Sequence, residues 1–310
     1  MRRAWSLLLL ALLALMPCLA PAAASSPSAT PVPAASDTAS APRSAALAEL
    51  PLKRTDTGLV MWPDGSLYSP EISAIKQRGV LIVSMLNVDQ PPYFSEVNGE
   101  LVGIDVDLAR GLADGLNVRL EIDRSARTFN EVLQRLGEGK ADLGISKLSR
   151  TLARTQFMAF SEPYVSLNQA LLVNRVAFAK RQGGRSMGAV IRHYDGTMGV
   201  WAKSSYASRV KSTFPHADVH YYSSWEEVID ALLTGKVEAV YRDEYEIKKV
   251  LSDDPAAALK LRMVTLDDLW DKFSVAVNLD APALLNYVNL YLGMRGKPYD
   301  LDDLEKAKRR

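Results

Sequence analysis

Charged and hydroxyl side chains follow two similar stretches of this sequence. Ser146, Ser149 and Arg154 come after the first stretch, and Asp243 comes after the second. A guanidinium can bind a carboxylate through two parallel hydrogen bonds, and a carboxylate can bind an ammonium group. An α-amino acid carries both charges on one carbon atom. Taken singly, such an Arg is usually a surface residue and such an Asp a helix cap, but their matched placement favours a site for a small zwitterion.

The two stretches read TFNEVLQRLGEGKAD at 128–142 and SWEEVIDALLTGKVE at 224–238. Each begins with Thr or Ser followed three residues later by Glu, the capping box that starts a helix. Each ends in Gly-Lys, where the glycine stops the helix, and then runs into a short apolar strand. Cap, apolar spacing, stop and strand agree in register. We therefore interpret them as a structural repeat rather than as two amphipathic helices that happen to look alike.

Strand and helix patterns alternate around the first stretch. Val80 to Met85 and Arg119 to Asp123 are predicted strands, and between them Ile104, Leu108, Leu112 and Leu116 form a helical stripe. This alternation predicts an α/β fold with mostly parallel sheet. Ligands of such sheets bind beyond the carboxyl ends of the strands, where the residues named above are expected to lie.

The N-terminus has the pattern of a secretory signal. Arg2 and Arg3 precede an apolar run from Leu7 to Leu15, which is too short for a stable membrane span, and the small residues at 22–24 fit a cleavage site. We predict a signal peptide at residues 1–24 and a periplasmic or secreted location. An Ala/Ser/Pro-rich linker is predicted at 25–54, and folded sequence is expected to begin between Leu59 and Glu71.

The single cysteine, Cys18, lies inside the predicted signal peptide. A lipoprotein signal requires a small residue directly before the cysteine, whereas this chain has Pro17. We therefore expect no lipid anchor.

Composition excludes several classes of partner and cofactor. The formal net charge of +1 over 310 residues gives no reason to expect nucleic acid or an anionic membrane as a partner. Gly235-Lys236 lacks the remainder of a phosphate-binding loop. His216 and His220 have helical metal-ligand spacing, but a strand is predicted from Val219 onward and no third ligand is in view. We expect neither a metal nor a cofactor.

The segment ADLGISKLSRTLARTQFMAFSEPY at 141–164 resembles the signature of the periplasmic polar-amino-acid binding proteins of ABC importers. GIDVDL at 103–108 resembles the motif after their first strand, and the resemblance runs from about Gly79 to beyond Asp280. It implies a two-lobed, type II periplasmic-binding-protein-like fold with two mostly parallel sheets joined by a two-stranded hinge. Lobe 1 would comprise 70–170 plus 275–310, and lobe 2 would comprise 171–274. It also implies a monomer that passes its ligand to a membrane permease.

The resemblance assigns roles to individual residues. Arg154 takes the position of the arginine that clamps the ligand carboxylate, and Ser149 that of a hydroxyl residue facing the ligand. Phe129 corresponds to an aromatic that packs on the ligand, and Asp243 to the ammonium-binding aspartate. The loop from Trp201 to Tyr206 resembles the family's carboxylate-holding loop, which implies contacts from Ser204 and Ser205.

Three positions depart from the family pattern. The aromatic usually found after the first strand is replaced around Gln90, although Tyr93 is close, and Asn87 stands at a second acidic position. Lys147 stands where the family often has a small residue. It either pairs with a second ligand carboxylate, which favours an acidic ligand, or points to solvent. The two possibilities stay open at the sequence level.

Two other functions share this fold. One is a sensor subunit that passes a conformational signal to a receptor. The other is an enzyme resembling cyclohexadienyl dehydratases, which requires a pocket acid to protonate a leaving hydroxyl. Glu162 and Glu244 are the nearest candidate acids, but Glu162 lies in an ordinary family segment and Glu244 is expected to face solvent. Transport binding without catalysis is therefore the preferred interpretation.

Overall fold

The computed structural model describes residues 52–308. The predicted signal peptide, Cys18 and most of the predicted linker lie outside the described residues. The described chain begins with a small antiparallel sheet of three strands, β1 (Lys53–Arg54), β2 (Val60–Met61) and β3 (Leu67–Tyr68). Folded sequence thus begins earlier than expected, because Lys53 and Arg54 already pair with β2. A two-residue strand is too short to show the alternation by which strands are predicted.

A hairpin and a large sheet follow. The remaining strands are β4 (Val80–Leu86), β5 (Ser95–Val97), β6 (Glu100–Val102), β7 (Arg119–Ala126), β8 (Leu143–Gly144), β9 (Ala159–Asn174), β10 (Thr197–Trp201), β11 (Asp218–Tyr222), β12 (Ala239–Asp243) and β13 (Leu261–Val277). The hairpin consists of β5 and β6, and the large sheet has the strand order β11-β10-β12-β9-β13-β8-β4-β7.

The large sheet contains two parallel parts. In one, β4 pairs in parallel with β7 and β8; in the other, β10 pairs in parallel with β11 and β12. The long strands β9 and β13 lie between them and pair antiparallel with each other. The predicted α/β, type II architecture is confirmed. Because β9 and β13 continue both ladders, the two expected sheets are hydrogen-bonded into one.

Helices cover the sheet. They are α1 (Pro70–Arg78), α2 (Ile104–Leu116), α3 (Phe129–Gly137), α4 (Arg175–Gln182), α5 (Met187–Arg192), α6 (Ser205–Thr213), α7 (Trp225–Leu233), α8 (Glu244–Asp253), α9 (Ala257–Lys260), α10 (Pro282–Arg295) and α11 (Leu301–Lys308). Within residues 52–308, none of these helices combines the length and apolar character needed to span a bilayer.

The predicted repeat is confirmed in α3 and α7. Thr128 caps α3 by accepting a hydrogen bond from the Glu131 N–H at 3.2 Å, and Ser224 caps α7 by accepting one from the Glu227 N–H at the same distance. Both helices are followed by a glycine with positive φ, Gly139 at 67° and Gly235 at 76°. Since each helix leads into a strand of its own parallel part, the repeat positions both strand ends in the same way.

Apolar packing divides the described chain into clusters. The first cluster joins β4, α2 and α3 to later residues such as Val277 and Leu284. Two further clusters lie in the other parallel part, one around Tyr194 and Tyr241 and one around Val228. The predicted stripe of α2 is buried in the first cluster, which is why α2 lies flat on the sheet.

The two long strands change register where they pass between the parallel parts. The pairing of Leu266 with Gln169 is followed by that of Trp270 with Asn168, so residues 267–269 bulge from the ladder. The Asn168 N–H instead donates to Glu244 Oε1 at 2.8 Å. Glu244 is therefore buried, and the expectation that it faces solvent is wrong.

Candidate ligand-binding site

A cavity of about 20 Å³ lies at the carboxyl ends of strands from both parallel parts. Its lining residues are Phe129, Lys147, Ser149, Arg154, Ser204, Ser205, Tyr206, Arg242, Asp243, Asp271 and Phe273. Larger grooves of about 820 Å³ lie beside Lys260 and beside Asp107, but they contain none of the predicted site residues. The small cavity is therefore the candidate site.

Three of the predicted residues lie elsewhere. Ser146 is fully buried and its hydroxyl accepts the Leu86 N–H at 3.1 Å, a contact that holds β4 in place. Gln90 does not line the cavity, and its amide donates to the neighbouring Asp89 carbonyl. Tyr93 lies behind the cavity wall, with its ring centre 4.6 Å from Lys147 Nζ. The other seven predicted residues are brought together.

Arg154 begins a single 3₁₀ turn, Arg154–Gln156, and is buried against neutral acceptors. Its Nη1 donates to the Ser149 carbonyl at 2.9 Å, and its Nη2 to Asn130 Oδ1 at 3.4 Å. Burial lowers the pKa of Arg154 to about 10, with Asp271 opposing the shift and Arg209 adding to it. The guanidinium therefore stays charged at neutral pH and can bind an anion.

Asp271, in β13, is the centre of a buried polar network. Its Oδ2 accepts hydrogen bonds from the Ser149 hydroxyl at 3.0 Å and the Tyr206 hydroxyl at 2.6 Å. Its Oδ1 accepts one from Arg209 Nη2 at 2.9 Å. The Ser205 hydroxyl also donates to the Ser149 hydroxyl at 2.9 Å. The network thus connects the loop after β8 with the N-terminus of α6.

Lys147 is buried beside the cavity and pairs with a carboxylate of the protein. Its Nζ lies 2.6 Å from Glu246 Oε1, and both side chains are less than one tenth exposed. Burial alone would raise the pKa of Glu246, but the charges of Lys147 and Arg242 outweigh burial and lower it. The possibility that Lys147 points to solvent is therefore wrong. Its pairing with a second ligand carboxylate stays a prediction, and in this structure the lysine pairs with an internal carboxylate on α8.

Arg242 lies between two tryptophan rings. Its guanidinium carbon is 5.3 Å from the centre of Trp201 and 4.6 Å from that of Trp225. The nearest carboxylate oxygens, on Asp243 and Glu246, are each 3.8 Å from its nitrogens. Its Nη1 is buried without a hydrogen-bond partner among residues 52–308. The aromatic contacts hold the guanidinium in place without neutralising it.

Asp243 combines the two roles weighed for it. It caps α8 by accepting the Glu246 N–H at 3.0 Å, and it also lines the cavity. Burial raises its pKa; the neighbouring acids add to the shift, and Lys147 and Arg242 oppose it. Facing it, Phe129 packs edge-on against Trp201, with ring centres 5.9 Å apart.

Sequence reasoning missed Asp271 and Glu246. Asp271 stands in the run LDDLWDK at 266–272, which contains three aspartates. Nothing in the sequence indicates which of them is buried, because that depends on the bulge in β13. Glu246 follows Asp243 by three residues, a spacing that places both on one side of a helix start. That spacing is the signal in the sequence by which Glu246 could have been recognised as a residue near the site. Among residues 52–308 no group of three or more His, Cys, Asp or Glu side chains is arranged to hold a metal.

The fold and the cavity together are typical of a class of proteins, the solute-binding proteins that hold a small molecule between two α/β lobes. The sequence profile of the bacterial extracellular solute-binding proteins, family 3, matches residues 81–294. This span is more than two thirds of the 310-residue chain. The chain belongs to this family.

Similar curated proteins include two arginine-binding proteins. The arginine-binding periplasmic protein of Mannheimia haemolytica is 26% identical over 164 residues, which cover 52% of this chain and 62% of that protein. The ABC transporter arginine-binding protein 1 of Escherichia coli (strain K12) is 24% identical over 205 residues, covering 64% and 78%. The match to the first of them thus spans less than two thirds of that relative's length.

Solved structures agree on the fold. An amino acid ABC transporter substrate-binding protein from Streptococcus pneumoniae, bound to L-arginine, has a TM-score of 0.57 and 27% identity, covering 77% of this chain and 98% of that one. The holo form of ArgBP from T. maritima has a TM-score of 0.54 and 26% identity, covering 75% and 97%.

An enzyme is also among the relatives. Membrane-bound lytic murein transglycosylase F of Salmonella typhi is 31% identical over 115 residues, which cover 36% of this chain and 24% of that protein. An ancestral amino acid-binding protein, described as a precursor of cyclohexadienyl dehydratase, has a TM-score of 0.58 at 24% identity over 77% of this chain and 97% of that one, and shows the fold alone. The relatives are mostly binding proteins, with enzymes connected to the same fold.

Proposed function

We propose that the chain is an extracytoplasmic solute-binding protein that encloses a small amino acid, or a related carboxylate, between two lobes. The observation that carries this proposal is that Arg154 and Asp243, on opposite parallel parts of the sheet, line one cavity. Arg154 would bind the ligand carboxylate and Asp243 its ammonium group. Ser149, Ser204 and Ser205 would add hydrogen bonds, and Phe129 would pack on the ligand.

The proposed lobes keep the bounds 70–170 plus 275–310 and 171–274. The separation of the apolar clusters supports this division, although Tyr245 and Phe273 pack with the first cluster and Ala170 packs with the third. The hinge would lie where β9 and β13 cross between the lobes. These crossings would lie near 168–173 and 273–277. The register shifts between Phe273 and Ser274 and between Ser274 and Ala276 support this position, because an interrupted ladder resists bending less than a continuous one.

Ligand entry would require the lobes to separate. A cavity of 20 Å³ accommodates about one water molecule, far less than an amino acid. The Ser205 hydroxyl donates a hydrogen bond to the Ser149 hydroxyl in the cavity wall. On ligand binding, both hydroxyl groups would exchange this bond for hydrogen bonds to the ligand. A ligand that contacts both lobes shifts the open–closed equilibrium, whereas one that contacts a single lobe does not.

The proposed partner is a membrane ABC permease, and the proposed location is the periplasm. The names of the similar curated proteins support both. We propose a monomer that binds without catalysis. Of the two acids considered for an enzyme, Glu162 is exposed, and Glu244 does not line the cavity and is held by the Asn168 N–H.

A thermal-shift screen of residues 25–310 against the amino acids and related carboxylates tests the proposal. A ligand that binds the native state raises the melting temperature by mass action, by an amount that grows with its concentration. Small-angle scattering with and without the ligand then reports closure. If no amino acid or carboxylate shifts the melting temperature, the proposed function is overturned.

A further inference from the structure

We propose that the ligand is anionic: an acidic amino acid or a related dicarboxylate whose second carboxylate binds Arg242. This inference rests on the proposed function and goes beyond it, because it names the ligand's charge. It also separates this chain from the relatives whose names specify arginine.

Two of the cations around the cavity already have close carboxylate partners. Lys147 lies 2.6 Å from Glu246, and Arg209 lies 2.9 Å from Asp271. Each of these pairs is within hydrogen-bonding distance and largely buried. Neither cation is free to bind a ligand carboxylate.

Arg154 and Arg242 differ from those two cations. Within the described part of the chain, no carboxylate oxygen lies within 4.0 Å of the Arg154 guanidinium, whose acceptors are a carbonyl and an amide. Arg242 has carboxylates only at 3.8 Å, and its buried Nη1 has no acceptor. The ion pairs of Arg242 with Asp243 and Glu246 are longer than a hydrogen bond, and Glu246 also pairs with Lys147. Both arginines are therefore buried cations with weak compensation, which is costly. A ligand with two carboxylates offsets that cost at both positions.

The carboxylates in the cavity wall, and Glu246 next to it, already have partners. Glu246 contacts Lys147, and Asp271 accepts three hydrogen bonds. Asp243 caps α8, and its carboxylate is the one assigned above to the ammonium group of the ligand. A second positive charge on the ligand, such as a guanidinium, would find no unpaired acid. It would also compete with Arg242, which already lies between Trp201 and Trp225.

Isothermal titration calorimetry with matched probes tests this inference. The chain of residues 25–310 is unfolded, washed and refolded to remove bound solute. It is then titrated with L-glutamate, L-glutamine, L-aspartate, L-asparagine, L-arginine and glutarate. We expect an acidic probe to bind at least about tenfold more tightly than its amide. Arg242→Gln should abolish that preference, because the amide side chain cannot neutralise the second carboxylate.

Arg181→Gln is the matched control. Arg181 pairs with Glu238 outside the cavity, so its loss should leave the preference unchanged. Tighter binding of L-arginine or of an amide by the unmodified chain overturns this inference and leaves the proposed function standing. Binding of none of the probes also overturns this inference, whereas the proposed function is overturned only if the thermal-shift screen of all amino acids and related carboxylates finds no ligand either. The comparison of acid with amide in the unmodified chain decides the matter even if Arg242→Gln does not fold.

Discussion

The Ser205 hydroxyl donates a hydrogen bond of 2.9 Å to the Ser149 hydroxyl, joining the N-terminus of α6 to the loop after β8. Ser149 in turn donates to Asp271 on β13. Three distant segments therefore meet in one continuous polar chain. Ser149 and Ser205 are also proposed to bind the ligand, so a ligand would have to replace the hydrogen bond that joins these two hydroxyl groups in this structure.

Replacing Arg154 by alanine should remove carboxylate binding while the fold remains intact. Truncating one side of a buried charge pair typically costs several kcal/mol, so affinity should fall by about a hundredfold or more. Stability should change little, because Arg154 has no close carboxylate partner in the described chain. Calorimetric titration and thermal melting measure the two effects.

Arg150→Ala is the control for Arg154→Ala. Arg150 precedes Arg154 by four residues, is exposed and does not line the cavity. The Arg150→Ala variant should bind the ligand with the same affinity as the unmodified chain. Undiminished affinity after Arg154→Ala would show that the cavity has been misassigned.

Replacing Asp271 by asparagine should destabilise the protein by about 3 kcal/mol, because it leaves the largely buried Arg209 without its carboxylate. Urea denaturation measures the loss. The double variant with Arg209→Gln should lose less than the sum of the two single losses, since neither charge then stands alone. If the loss in the double variant equals the sum of the two single losses, the Asp271–Arg209 pair contributes no interaction energy of its own.

Replacing Lys147 by methionine should lower the free energy of unfolding by about 3–5 kcal/mol, because the buried Glu246 then loses its closest cation. The backbone at residue 147 is left-handed, with a φ of 40°. Methionine has a long side chain and a Cβ as lysine does, so the substitution adds no backbone strain. Adding Glu246→Gln should recover part of the loss in guanidinium denaturation. Lys140→Met, in an exposed pair with Glu138, should have no measurable effect. Equal losses in both lysine variants would contradict a special role for the buried pair.

The stability of the protein should depend on Asp105 between about pH 4 and pH 7. Burial raises the pKa of Asp105 to about 7, although a hydrogen bond from the Lys147 N–H opposes the shift. The folded state therefore holds a proton that the unfolded state releases near pH 4. Stability falls as pH rises through this interval, by up to about 4 kcal/mol, and the contribution is constant above it.

Asp105→Asn tests this dependence because asparagine is neutral at every pH and keeps an oxygen acceptor for the Lys147 N–H. Urea denaturation at a series of pH values should show the variant gaining stability relative to the unmodified chain as pH rises from 4 to 7. A difference that does not vary with pH would mean that Asp105 is ionised throughout.

The sequence by itself determined the local elements and the family. The capping boxes at Thr128 and Ser224, the stripe of α2 and the glycines that end the repeated helices all act within a few residues. Such short-range patterns carry the fold class, and they placed Arg154 and Asp243 at the ends of the strands that surround the cavity.

The tertiary structure alone decided which charges neutralise one another. Lys147 meets Glu246 and Ser149 meets Asp271 across long separations in sequence, and the bulge in β13 precedes the one aspartate of LDDLWDK that is buried. Pairing depends on distance in space and on burial, neither of which a linear pattern records. The sequence therefore predicted a site for a small zwitterion, and the proposal that Arg154 and Arg242 bind its carboxylates depends on the packing.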